Sequence, residues 1–368
     1  MNLRVLIPIV ALCASALAAS ATRRPQDAQP ADMTKPVQVF LLLGQSNMVG
    51  LGKVGGPDGS LEFAVKEKKK YGYLVDEDGG WTERKDVRYA RVMSGRGGGM
   101  QRLNNEWMTV KACKTIGPEF GIAEAVGDAV EAPVLVLKSC IGNRSLGWDL
   151  LPPGSERFEF KVEDKSGATK RMVYAGYKDR PDAWELDPAK GLQTEPGPWL
   201  DKNGKPIDWY AGKQWDDDMA HAKAVLAELD RHYPGAKRYE VAGFFFWQGE
   251  KDAGNPGHAA HYEKNLVHFI KTLRKEFDAP DAKFVLATMG ESTKGSGGNG
   301  GTILAAQLAV DGASGKHPEF RGNVATVYTH PMAQGGSGNG HYGGKAEVYM
   351  DVGEAMGRAM VEMMKDRK

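Results

Sequence analysis

Short apolar runs recur along this chain, each separated from the next by a segment of helical spacing, and this alternation restricts the possible fold most. Residues 37–43 are apolar except for Gln38 and stop at Gly44. Residues 133–137 form a second run. Residues 239–247 form a third, with Val241, Phe244, Phe245 and Phe246, and residues 283–288 a fourth, with 323–328 as a possible fifth. Runs without polar alternation read as strands buried on both faces, as in parallel sheets. Between them, residues 118–130 place Phe120, Ile122, Ala123, Val126 and Val130 at helical spacing. Residues 218–232, 258–277 and 345–364 read as further helices, the second carrying Leu266, Phe269, Ile270 and Leu273. Strands alternating with helices predict a three-layer α/β/α domain around a mostly parallel sheet. In such sheets the working residues lie on loops past the carboxyl ends of the strands.

The domain is expected to span residues 37–368 and to carry two inserted loop regions. Residues 51–108 are polar and glycine-rich, with a possible strand or hairpin at 81–92. Residues 153–215 form the second insertion. Ahead of the domain, Met1-Asn2-Leu3-Arg4 and the apolar run 5–17 lead to small-x-small sites at Ala16–Ala18 and Ala19–Ala21, the pattern of a signal peptide over 1–21. Residues 22–36 then read as a linker. Secretion or a periplasmic location is therefore expected, with no membrane anchor. Export permits a disulfide between Cys113 and Cys140, but two buried thiols fit the sequence equally well. A formal net charge of +1 gives no reason to expect nucleic acid as a partner.

Polar clusters follow three of the runs. The first is Gly44-Gln45-Ser46-Asn47-Met48, the second Ser139 to Ser145, and the third Trp247-Gln248-Gly249-Glu250-Lys251-Asp252. A fourth, Gly338-Asn339-Gly340-His341, precedes the last helix. Together they offer a hydroxyl, an imidazole, carboxylates and backbone N–H groups, the set that acyl transfer through a covalent ester needs.

These blocks resemble the SGNH-hydrolase superfamily, and within it the sialate O-acetylesterase-like branch that includes acetylxylan esterases of carbohydrate esterase family six. The resemblance rests on Gly44 to Met48, on Gly142-Asn143-Arg144-Ser145 with Trp148 beyond, on Gln248-Gly249-Glu250, and on Gly117-Pro118-Glu119. It implies a flavodoxin-like sheet and a cofactor-free serine esterase that removes acetyl groups from carbohydrate. Ser46 would be the nucleophile and His341 the general base, ahead of its rival His330. The Asp that many such enzymes carry three residues before the histidine is Gly338 here, so the triad acid is Glu250, Asp252 or absent. The oxyanion hole would combine the N–H groups of Ser46 and Gly142 with the Gln248 side chain. Gln45, Asn47, Asn143, Arg144 and Trp148 would contact substrate, an acetylated carbohydrate.

Two other classes of reading stand beside this one: a general aryl or lipid esterase, and a carbohydrate-binding protein of the same fold with weak turnover. The glycine clusters at 290–301 and 335–344 lack the Gly-x-x-x-x-Gly-Lys pattern of a phosphate loop and read as flexible loops. His258, His261 and His268 lack the spacing of a common zinc motif and read as surface or core-edge histidines. Trp184, Trp199, Trp209 and Trp215 would either stack on sugar or pack the insertion onto the core.

Overall fold

A seven-stranded sheet organises the computed structural model, which describes residues 30–95, 99–163 and 166–365. Counting strands of three or more residues in chain order, the first four are β1 (Val37–Gly44), β2 (Arg84–Ser94), β3 (Met100–Met108) and β4 (Val134–Ser139). A separate small sheet holds β5 (Phe158–Glu163), β6 (Thr169–Tyr174) and β7 (Ala183–Glu185). The series ends with β8 (Tyr239–Trp247), β9 (Lys283–Ala287) and β10 (Val324–Val327). The large sheet runs β10-β9-β8-β1-β4-β2-β3, parallel throughout except for the antiparallel edge strand β3.

Seven helices matter for the site: α1 (Ser46–Val49), α2 (Glu119–Ala129), α3 (Lys213–Ala227), α4 (Glu250–Ala253), α5 (Pro256–Glu276), α6 (Gly298–Ala309) and α7 (Ala346–Lys365). Side chains of β1 alternate between two cores, because successive residues of a strand point to opposite faces. Phe40 and Leu42 join Phe120 and Val126 of α2 and Met350 and Met356 of α7. Val39, Leu41 and Leu43 join Trp215 of α3, Leu266 and Phe269 of α5, and Ile303 of α6. These two cores make the three layers. Asn255 starts α5 by accepting from the N–H groups of Gly257 and His258, with Pro256 in the first turn where a missing N–H costs nothing.

The structure departs from the sequence reading in three places. The possible strand at 81–92 is β2, but it belongs to the main sheet, pairing with β4 over Val87–Val92, and β3 beside it falls in the stretch read as an irregular insertion. Mixed polar spacing in β3, an edge strand with one exposed side, concealed it. A helix, α6, begins inside the glycine cluster read as a flexible loop. The third helix starts at Lys213 and ends at Ala227, a short separate turn following. Of the two readings left open for the cysteines, the structure shows the thiols: Cys113 and Cys140 are both free, and burial pushes each up to about 12.

The second insertion forms the antiparallel β5–β7 sheet with its own small core, including Leu151, Val173 and Trp184. It docks on α5: Phe158 stacks on His261 at a centroid distance of 3.8 Å, and the Tyr174 hydroxyl donates to Asn255 Oδ1 at 2.9 Å. The expected signal peptide (1–21) and the first part of the linker lie outside the described residues.

Candidate active site

The polar clusters meet at the carboxyl edge of the sheet. There Ser46, Gly142, Asn143, Arg144, Trp148, Gln45, Glu250 and His341 line one cleft of about 720 Å³. At Gly44, φ is +143° and a Cβ would stand 2.3 Å from the Trp247 carbonyl oxygen, so only glycine lets β1 run so close to β8 before turning into α1. Ser46 is the first residue of α1 and is half-buried, and among the described residues its hydroxyl has no hydrogen-bond partner. The far end of this short helix is held by a buried ammonium. Lys138 Nζ donates to the carbonyls of Met48 (3.2 Å) and Val49 (2.9 Å) and pairs with Glu119 Oε2 at 2.8 Å. Glu119 Oε1 also accepts from the Gly117 N–H. The Gly117-Pro118-Glu119 stretch therefore serves as a support beneath the Ser46 helix.

His341 sits in a turn of strained backbone, with φ of +51° at His341 and +54° at Tyr342. Such left-handed conformations cost free energy for non-glycine residues and persist only where neighbours enforce them. Buried Tyr342 supplies that enforcement, stacking on Trp247 at 5.8 Å and meeting Tyr349 edge-on at 6.0 Å. The His341 N–H donates to the Gly338 carbonyl at 3.0 Å. His341 lines the cleft with Ser46; His330 does not, and its Nδ1 lies 2.7 Å from the Gly290 carbonyl.

Glu250 opens α4 and is buried at the cleft wall. Its Oε2 accepts from Gln45 Nε2 and its Oε1 from Asn47 Nδ2 at 2.7 Å. Asn47 Nδ2 also reaches the Gly338 carbonyl at 3.3 Å. Glu291 approaches the same point, its Oε2 accepting from the Gly338 N–H at 3.0 Å. A Cβ on residue 338 would stand 2.4 Å from Glu291 Oε2 and 2.6 Å from Glu250 Oε1. The space that an aspartate three residues before His341 would need is thus filled by two glutamates from other loops. Burial, and then the negative charge of Glu291, push the Glu250 carboxyl up to about 7.

Gly142 lies against Ser46, where an added Cβ would be 3.4 Å from Ser46 Cβ. Asn143 and Arg144 follow on the cleft wall. The Arg144 guanidinium lies over Trp209 at 4.3 Å, with Asp149 Oδ1 3.8 Å away. Trp148 meets Trp199 edge-on at 5.3 Å.

Three sequence assignments change. Gln248 is fully buried and does not line the cleft: its Nε2 donates to Arg144 O (2.9 Å) and Asp252 Oδ2 (2.6 Å), so it is no direct oxyanion donor. Asn47 is also fully buried, and its amide holds Glu250 instead of facing substrate. Asp252, the alternative triad acid, is buried away from the cleft and accepts from two backbone N–H groups of the loop after β4.

The Trp184, Trp199, Trp209 and Trp215 group does not line the cleft; Trp215 lies in the core and Trp184 in the insertion. His258, read as a surface or core-edge residue, is buried yet reaches the cleft wall, its Nε2 3.8 Å from Asp182 Oδ2. Burial pushes this imidazole down to about 4, so it is neutral at physiological pH. The Asn255-Pro256 helix start was the available signal, since it sets His258 in the first turn of α5 at the sheet's carboxyl edge. Among the described residues, no group of three or more His, Cys, Asp or Glu is placed to hold a metal ion.

No curated relative matches the chain. Among solved structures, a protein from Arabidopsis thaliana is similar at 15% identity and a TM-score of 0.43, covering 90% of this chain and 99% of that one. A carbohydrate acetylesterase from Xanthomonas citri is similar at 12% identity and a TM-score of 0.45, over 88% of this chain and 55% of that one. NanS is similar at 14% identity and a TM-score of 0.40, over 82% and 79%. The family described as carbohydrate esterase, sialic acid-specific acetylesterase, matches residues 202–362, a stretch that holds Glu250 and His341 but begins beyond Ser46 and Gly142. Over residues 202–362 the chain is thus similar to that acetylesterase family, and the Gly-Gln-Ser-Asn-Met block on the same α/β/α sheet lies ahead of the matched stretch.

Proposed function

We propose that this carboxylic ester hydrolase removes O-acetyl groups from a carbohydrate through an acyl-enzyme on Ser46. The observation that carries the reading is the convergence of Ser46, His341 and buried Glu250 on one cleft at the carboxyl edge of the sheet. His341 accepts the Ser46 proton as Oγ bonds to the acetyl carbon, and Glu250 orients the imidazole and stabilises its cation. The oxyanion that forms faces the backbone N–H groups of Ser46 and Gly142. His341 then protonates the departing sugar oxygen, and a water deprotonated by His341 attacks the acetyl carbon, releasing acetate and freeing Ser46.

Polar cleft walls (Asn143, Arg144, Asp182, Asn255 and Asn339) favour a sugar over a lipid chain. The substrate is an acetylated glycan and not nucleic acid, and the N-terminal residues direct export to the periplasm or outside the cell. No helix among the described residues is long and apolar enough to cross a membrane. The test is acetate release from acetylated xylan and O-acetylated sialic acid by wild type, Ser46→Ala and Glu250→Gln. The reading expects loss in Ser46→Ala and a large reduction in Glu250→Gln, and turnover that survives Ser46→Ala overturns it.

A further inference from the structure

We propose that Asp252 and Gln248 clamp the loop after β4 and so position the oxyanion donor at Gly142, making both of them positioning residues for acyl transfer. This deepens the esterase reading above and rests on it.

The two side chains leave the turn after β8 (Gln248) and α4 (Asp252) and grip the neighbouring loop at three points. Asp252 Oδ1 accepts from the Gly147 N–H at 2.7 Å, and Oδ2 accepts from the Leu146 N–H at 2.8 Å. Gln248 Nε2 spans the pair, donating to Asp252 Oδ2 at 2.6 Å and to the Arg144 carbonyl at 2.9 Å. Gln248 is fixed in turn: its Oε1 accepts from the Tyr262 hydroxyl at 2.9 Å, and its carbonyl accepts from Gln307 Nε2 at 2.8 Å. Both clamp side chains are fully buried, and the gripped residues begin two positions after Gly142.

Burying a carboxylate is costly unless donors surround it, and here three N–H donors do so. The placement matters because an oxyanion donor works only within a narrow range of distance, about 2.7–3.1 Å from the developing charge. A free loop carrying Gly142, with Asn143 at a φ of +60°, would sample positions outside that range. A carboxylate suits the task better than an amide. It presents two acceptors to two backbone N–H groups, whereas asparagine turns an NH2 toward one of them.

The experiment compares wild type with Asp252→Asn and Gln248→Leu, reading kcat and KM on 4-nitrophenyl acetate and inhibition by phenylboronic acid, which forms a tetrahedral adduct on a serine nucleophile. A misplaced oxyanion donor predicts that Asp252→Asn loses about 100-fold in kcat, with KM within about threefold. Boronate affinity should fall alongside kcat. Gln248→Leu frees the Arg144 carbonyl and removes one donor from Asp252 Oδ2 but leaves both Asp252 contacts to the loop N–H groups, and should lose about tenfold; it is the variant to read if Asp252→Asn does not fold. Folded variants that keep kcat and boronate affinity, or that lose activity through KM alone, overturn the clamp. Wild type that neither turns over the ester nor binds the boronate overturns the esterase reading itself, and the clamp with it.

Discussion

Many SGNH enzymes carry an aspartate three residues before the catalytic histidine, and Gly338→Asp would restore it here. The structure says that this restoration harms the enzyme. A methyl group alone at position 338 lies 2.4 Å from Glu291 Oε2 and 2.6 Å from Glu250 Oε1. Glu291 is exposed and can swing away, but Glu250 is buried and held by Gln45 and Asn47. Forcing atoms into such a packed site costs about 1–3 kcal/mol. The aspartate adds a charge as well. Two like charges about 4 Å apart repel by roughly 4 kcal/mol at an effective dielectric near 20, which corresponds to about three pKa units. Glu250 would then be protonated at neutral pH or pushed from its place.

We therefore expect Gly338→Ala to lower kcat/KM at pH 7 by about tenfold, and Gly338→Asp by about 100-fold or more. The double variant Gly338→Asp, Glu250→Ala should recover part of the loss, because the new carboxylate then has the room Glu250 filled and faces only Glu291, which is exposed and can swing away. Steady-state hydrolysis of 4-nitrophenyl acetate, with circular dichroism to check folding, measures all three. A Gly338→Asp enzyme as active as wild type, or more so, refutes the reasoning and returns the acid's role to residue 338.

Three further outcomes follow from the same residues. Glu250 must be ionised to accept from the imidazole, so activity should rise as pH passes through about 7, and Glu291→Gln, which removes one cause of the raised value, should move that midpoint to lower pH in a pH–rate profile. Burial also pushes Asp252 up to about 7 and Asp218 up to about 8. The folded state holds protons on these two groups that the unfolded chain releases near pH 4, so their contribution to stability falls between about pH 4 and pH 8; His258, His232 and His261, pushed down to about 4 by burial, act the other way only below about pH 6.5, so the thermal midpoint should be higher at pH 6.5 than at pH 8. Carboxylates shifted the other way, such as Asp58 and Glu159, are exposed and contribute little to this balance. Lys138→Met leaves Glu119 charged and buried without its partner and should cost about 3–5 kcal/mol in urea unfolding, whereas an unchanged midpoint would show that the pair does not hold α1.

Much of the architecture was legible because burial on both faces of a parallel strand leaves a plain apolar run. The β1, β4, β8 and β9 segments are such runs, and the loops after them carry the candidate site. Edge strand β3 was not legible, since its polar residues face solvent and break the run. Glycines masked α6, because its stability comes from Ile303 and Leu304 packed in the fold and not from local propensity. At the candidate site, the resemblance pointed to Ser46, Gly142, Glu250 and His341, and the fold brings all four to one cleft. Orientation could not: Gln248 and Asn47 have the amides that an oxyanion or a sugar would use, yet both turn inward to hold carboxylates. Glu291 carried no motif, and only the close approach of two distant loops at Gly338 reveals it.

The central claim is a covalent acetyl intermediate on Ser46, and mass spectrometry of protein quenched within milliseconds of mixing with 4-nitrophenyl acetate tests it most directly. The account predicts an acetyl group on the peptide containing Ser46 in wild type, which clears as acetate is released, and none there in Ser46→Ala. Turnover by wild type without that adduct on a fast-quench timescale, or an acetyl group that appears and clears on another residue, would contradict it.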